Sequence, residues 1–196
     1  EVGFGRNPDG SWTPPLGRFA TLTSSPALEP NPGSYTLVDK NGVSYLFDQH
    51  LNAGAPGNEN VFGITSITDA RGFAETFTYT GSLISKVTSA SGRSLSFGWQ
   101  PAGVDGAKAP HVITVTTDPV DALNPASAYV WSYSYSGDRL DQVCPPALNL
   151  PGSPDGCTQY SYTDGSGYST TVLDAGPRSY LRLREDLERG AYAGYC

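Results

Sequence analysis

The chain is patterned with a period of two. In residues 77–100 (FTYTGSLISKVTSASGRSLSFGWQ), Phe77 and Tyr79 stand two positions apart between Thr76, Thr78 and Thr80. In an extended strand the two rings project from one face and the threonines from the other. Twenty residues on, Phe97 and Trp99 repeat the arrangement, and the same offset relates Ile67 to Val87 and Gly72 to Gly92. Strands and turns therefore recur together, which predicts a repeat protein whose unit is a β element.

Further copies follow the same template. One runs YTLVDKNGVSYLFDQ, with Gly42 in the turn and Tyr45 and Phe47 as alternating aromatics; another carries Trp131, Tyr133 and Tyr135, and a last one Tyr160 and Tyr162. A unit is expected to hold two short strands, of the kind 83–89 and 94–99, joined by a turn through Ser91 and Gly92. Gly42, Gly72 and Gly92 supply the positive φ that a tight hairpin needs. Asp39, Asp69 and Asp118 precede turns and are expected to hydrogen-bond the turn backbone. Calcium would want several carboxylates within one short loop, a pattern this sequence does not contain. Inserts rich in Pro, Gly, Ala and Asn occupy 49–60, 101–110, 118–128 and 145–155, and such composition is unsuited to ladder strands.

This organisation predicts an all-β chain of repeated antiparallel hairpins. Residues 1–34 read as a lead-in or capping segment, with a strand over 18–23 and the indole of Trp12, ahead of Pro14 and Pro15, laid against the first repeat. Residues 35–171 hold the repeats with their inserts. Residues 172–196 break the pattern and read as a tail or the truncated start of a following domain.

Composition narrows the partners. Twelve Tyr and three Trp against no Met suit half-buried pleated surfaces better than helix packing. The net charge of −7, with no cluster of Lys and Arg before residues 178–189, lacks the electrostatic footprint of a nucleic-acid binder. No run approaches the roughly 20 apolar residues of a membrane-spanning helix, so no membrane span is expected. Cys144 and Cys157 bracket a 12-residue insert; a bridge there would stabilise by about 3 kcal/mol, and the alternative is a pair of free, half-buried thiols. Cys196 is left for an intermolecular bond or as the mark of a truncated product. With no CxxC motif, and with His50 and His111 falling in separate inserts as solvated loop residues, a zinc site is disfavoured.

The F-x-Y alternation, the following G-x-L or G-D-R-L, the V-T-x-x-x-G-R turn and the period of 20 resemble the YD repeats of the Rhs family. Tyr79 with Leu83 and Val87, and Tyr135 with Arg139, Leu140 and Val143, occupy its Y-D-x-x-G-R-L-x-x-V pattern, and Gly92 and Arg93 match its G-R turn. The lead-in DGSWTPPLGRFATL is similar to the segment that introduces such arrays, so the resemblance covers about residues 9–170. The aspartate of the motif persists only as Asp48; Thr80, Gln100, Ser136 and Thr163 replace it elsewhere. The resemblance implies about ten strands, forming an arc of a shell or a small open sheet, in an extracellular or cell-surface bacterial protein. Its partner would be the remainder of a longer chain or a separate protein cargo. The core segment at which many members self-cleave is missing, so that chemistry does not carry over. The tail VLDAGPRSYLRLRED resembles the opening strand of a laminin-G or concanavalin-like domain at Pro177, Tyr180, Arg182, Leu183 and Glu185, with Leu181 and Arg184 departing from it. Without that resemblance, residues 179–189 read as one short helix.

Catalytic signatures are missing: the sequence has no G-x-S-x-G elbow, no P-loop and no G-x-G-x-x-G. Glu75 and Asp69 are the nearest to a glycosidase pair, yet read more simply as surface carboxylates. The expectation is therefore a non-catalytic structural module without cofactor, acting as shell wall or scaffold. The alternative is a carbohydrate-binding or adhesive module that uses the aromatic ladder, whose rings are expected mainly as core. Open sheet edges, like Cys196, offer routes to self-association.

Overall fold

The computed structural model describes residues 3–25, 33–51, 61–146, 156–162, 169–173 and 180–184, the last two segments by their backbone alone. The chain forms two compact units, residues 1–95 and 96–196. The first opens with an antiparallel ribbon of β1 (Gly5–Arg6) and β2 (Trp12–Thr13). It continues through β3 (Thr21–Ser25), β4 (Ser34–Val38), β5 (Ser44–His50), β6 (Phe62–Thr68), β7 (Ala74–Thr80) and β8 (Leu83–Thr88). Each of β3 to β8 pairs antiparallel with the strand next to it in sequence. Strand β9 (Ser94–Gln100) crosses the boundary between the units. In the second unit, β10 (His111–Thr117), β11 (Val130–Ser136), β12 (Arg139–Cys144), β13 (Thr158–Tyr162), β14 (Ser169–Leu173) and β15 (Tyr180–Arg184) again pair in chain order. The sheets are antiparallel and not closed, and the described residues contain no α-helix, so the all-β class holds.

Two turn geometries are reused. In the first, Asp39 N–H donates to the Val43 carbonyl (2.9 Å) and Gly42 N–H to the Asp39 carbonyl (3.1 Å), with Gly42 at φ 77°. The same pair of bonds closes the turn from Asp69 to Phe73, with Gly72 at φ 90°, and the turn from Ser89 to Arg93, with Gly92 at φ 82°. This is a type I turn followed by a left-handed residue, the three-residue loop that matches the twist of a hairpin. In the second geometry the loop has two residues, and glycine comes first: Gly81 (φ 61°) between Thr80 and Leu83, and Gly137 (φ 63°) between Ser136 and Arg139. Glycine at the first central position, followed by a residue of negative φ, is the pattern of a type II′ turn.

Several expectations change in detail. The strand foreseen over 18–23 begins at Thr21, because Arg18 N–H is used in a turn to the Pro15 carbonyl (3.0 Å) and Gly17 adopts φ 81°. The helix considered for 179–189 does not form over its described part. Residues 180–184 are strand β15, registered on β14 from Leu173 with Tyr180 to Ser169 with Arg184. A neighbouring strand that satisfies the backbone overrides a weak helical preference. The repeat region, foreseen with about ten strands, holds β4 to β13, and the fifteen strands among the described residues add β1 to β3 before it, β14 across its end and β15 after it.

The alternation of faces is as the pattern demands. In β11, Trp131, Tyr133 and Tyr135 are half-buried while Val130, Ser132, Ser134 and Ser136 are exposed. In β7, Phe77 and Tyr79 are half-buried between exposed Thr76, Thr78 and Thr80. The aromatic face is nonetheless not an enclosed core. Among the described residues no large side chain is fully buried, and Ala107 (4% exposed) and Ser94 (6%) are the buried side chains. Cross-strand neighbours cover the rings from the side, which accounts for half burial and no more.

Candidate functional site

The repeat aromatics occupy equivalent places on every second strand, β5, β7, β9, β11 and β13. Phe47 on β5 lies opposite Tyr35 and Ile64; Phe77 opposite Val87; Tyr79 opposite Ile84; Phe97 and Trp99 on β9. In the second unit Trp131 faces Val115, Tyr133 faces Val143, and Tyr135 faces Leu140. Tyr160 and Tyr162 pair with Val172 and Thr170. All ten rings are half-buried.

Their polar ends answer a backbone need that the repeat creates. Beside each two-residue turn the register slips by one, leaving Ser85 unpaired between Ile84 and Lys86, and Asp141 unpaired between Leu140 and Gln142. A third slip leaves Thr65 unpaired between Ile64 and Ser66, where its hydroxyl donates to the Asp48 carboxylate. A bulge frees main-chain groups that must find other partners. Tyr79 Oη donates to the Ile64 carbonyl (2.8 Å), and Tyr162 Oη to the Leu140 carbonyl (2.9 Å). Each tyrosine thus reaches from its own strand onto the bulge of the preceding one. Burial raises the pKa of the Tyr79 phenol; that of Tyr135 is raised by burial and, second, by neighbouring Tyr133. Gly63 makes room: a Cβ there would lie 2.7 Å from Tyr79 Oη and 2.9 Å from Leu51 Cδ2.

Ring contacts also recruit residues outside the pattern. Trp12 meets Tyr35 edge-on at 6.0 Å, as the lead-in reading expected, Tyr35 meets Phe62 at 5.3 Å, and Phe62 meets His50 at 4.3 Å. His50 is the last residue of β5 and His111 the first of β10, so both lie on strands rather than in the loops foreseen, His50 exposed and His111 half-buried. A histidine next to an insert is drawn onto the strand when an aromatic partner covers its ring.

His111 anchors the most connected polar cluster. Its ring stacks on Tyr135 at 4.4 Å and 12°, leaving the side chain 15% exposed, and Nε2 lies 3.2 Å from Asp138 Oδ1. The same oxygen accepts the N–H groups of Lys108 (2.7 Å) and Ala109 (3.4 Å). The Lys108 amide holds the Asp138 carboxyl below the usual carboxylate range against the opposing effect of burial, helped by the Ala109 amide and the His111 imidazole. The insert 103–107 closes on itself through Gly103 N–H to the Ala107 carbonyl (2.8 Å). Asp138 thus ties a folded insert to a hairpin tip about thirty residues away, leaving that oxygen fully used by donors.

The other aspartates behave as turn supports. Asp69 Oδ1 accepts from Arg71 N–H (2.8 Å) and Phe73 N–H (2.9 Å), and Asp39 Oδ1 from Asn41 N–H (2.8 Å) and Val43 N–H (3.0 Å). In the insert 118–128, Asp121 also accepts from Leu123 N–H (3.0 Å) and Asn124 from Ala126 N–H (3.2 Å). Glu75 is exposed on β7 opposite Ile67. Among the described residues no three of His, Cys, Asp and Glu gather as a metal site requires.

Cys144 and Cys157 form a disulfide, with Cα atoms 4.1 Å apart. Cys196 and the residues 163–168 lie outside the described residues. Next to the bridge, a cleft of about 270 Å³ opens between β12 and β13, lined by Asp141, Gln142, Gln159, Tyr160 and Ser161. Among the described residues no helix is long and apolar enough to cross a membrane. No known family matches the chain and no curated protein is similar to it.

Proposed function

We propose that this chain is a non-catalytic structural module, a stretch of Rhs-type YD-repeat sheet serving as wall or scaffold in a secreted or cell-surface protein. The observation that carries the reading is the reuse of two local devices, a glycine-first turn with its bulge and a tyrosine hydroxyl donating to a carbonyl beside a bulge, which coincide on β12. A glycine-first turn is followed by a one-residue bulge at Ser85 and again at Asp141, and a tyrosine of the next strand reaches a bulged segment at Ile64 and at Leu140. Units that repeat their hydrogen bonding as well as their sequence extend a sheet by addition. The disulfide favours an oxidising compartment. The turn aspartates support the non-catalytic side of the reading, since Asp69 is engaged by its own backbone.

The test is the intact mass of the native polypeptide from its source, with and without reductant. A wall or scaffold role expects a mass well above 20.7 kDa. A free-standing polypeptide of that mass would overturn the reading.

A further inference from the structure

The ladder between β12 and β13 holds two residue pairs, Gln142 with Gln159 and Val143 with Thr158, whereas β13 pairs with β14 over four. Toward the hairpin tip the two strands part, because Asp141 is the extra residue of a bulge and displaces this edge of β12. They are tied again by the hydrogen bond from Tyr162 Oη to the Leu140 carbonyl, over which the Arg139 guanidinium sits 5.3 Å from the Tyr162 ring. The cleft of about 270 Å³ occupies this splay. Its volume falls just below the range of about 300–1,000 Å³ typical of small-molecule sites, which suits a compact ligand.

The lining chemistry is selective. Gln142 and Gln159 each offer a carboxamide that both donates and accepts, Ser161 offers a hydroxyl, and Asp141 offers a carboxylate that only accepts. None of the side chains of Asp141, Gln142, Gln159 and Ser161 is hydrogen-bonded to another described residue. No cation lines the cleft and the chain carries −7, so an anion is disfavoured. No aliphatic side chain lines it, so an apolar ligand gains little there. A single carboxylate is too few hard ligands for a divalent cation. A neutral molecule dense in hydroxyls matches, because each hydroxyl donates and accepts and so repays the desolvation of amides and carboxylate.

We propose that this cleft binds a neutral saccharide, with Gln142 and Gln159 as paired amide contacts and Asp141 as the acceptor that orients a ring hydroxyl. The site is independent of the scaffold reading and adds to it a recognition function at the end of the β11–β12 hairpin.

The test is titration of the full disulfide-bonded chain with cellopentaose, xylopentaose, mannopentaose, maltopentaose and chitopentaose, followed by amide chemical shifts. At least one probe is expected to give saturable shifts at Asp141, Gln142 and residues 159–161, with a Kd of about 1 mM or tighter. Gln142→Ala and Gln159→Ala are each expected to weaken it about tenfold. Asp141→Asn keeps the shape of the side chain while exchanging its acceptor, and is expected to weaken binding with the rest of the spectrum intact; should the alanine variants fail to fold, this one decides. No saturable shift with any probe at about 10 mM, shifts centred instead on Phe97 and Trp99, or binding that survives Asp141→Asn unchanged would each overturn the proposal.

Discussion

The hairpins β6–β7 and β11–β12 each carry an aspartate at the turn with its carboxyl held below the usual range, yet the two groups work at different distances. The Asp69 carboxylate accepts N–H groups two and four residues ahead, and so completes its own turn. The Asp138 carboxylate accepts from Lys108, Ala109 and His111, 27 to 30 residues back, and so completes a neighbour. The first hairpin is self-sufficient and the second is a junction. The contrast arises from loop size: a three-residue turn leaves its N–H groups pointing inward at the side chain that precedes them, whereas a two-residue turn with Gly137 first has no such pocket, and its aspartate faces outward.

Removing the covalent closure should separate the two most strongly. Reduction of the Cys144–Cys157 bridge is expected to lower the stability of the second unit by about 3 kcal/mol, read from denaturant unfolding monitored at Trp131, while amide exchange in β6 and β7 stays unchanged. Equal loosening of both hairpins would show that the first is not self-sufficient. The next effect is that of Gly72→Ala, which forces a side chain into φ 90° and is expected to cost about 1–2 kcal/mol, confined to β6 and β7 by hydrogen exchange.

The smallest effect is the most specific. Asp69→Asn is expected to speed exchange at Arg71 and Phe73 alone, whereas Asp138→Asn is expected to speed it at Lys108 and Ala109 and to move the His111 ring resonances. Acid should reproduce both. Each carboxyl is depressed in the folded chain, so its contribution is complete above the unfolded value near 3.8 and is lost as pH falls through the still lower folded value. Exchange at Lys108 that stays slow through that acid range would remove Asp138 from the junction.

Legibility followed distance along the chain. Phe77 and Tyr79, Trp131 and Tyr133, and the turn glycines were readable because alternation and positive φ are decided within a few residues. The disulfide was readable as a pairing across one insert. The bulges at Thr65, Ser85 and Asp141 were not, since an extra residue shows only against the strand that fails to match it. For the same reason the roles of Gly63 and of the Tyr79 and Tyr162 hydroxyls were hidden, and His111 was misplaced in an insert. Its partner Asp138 is visible only as the second residue of a G-D turn, and no local signal tells which insert such a turn will hold. The half burial of the aromatic face was equally out of reach, because a period of two states which side a ring faces and is silent on what lies beyond it.

Because every registered pair of strands joins neighbours in the sequence, assembly requires few long loop closures. A β protein of this connectivity has a low contact order and should fold quickly for its class. Each strand can dock as soon as it leaves the ribosome, with the previous strand as its template, so growth is vectorial. The tyrosine that reaches back onto the preceding bulge then acts as a checkpoint for register: a strand that docks one residue out of step points its ring to the wrong face and leaves the bulge carbonyl unpaired. Run in reverse under tension, the same connectivity peels one strand at a time, with the disulfide between Cys144 and Cys157 as the point at which peeling stops.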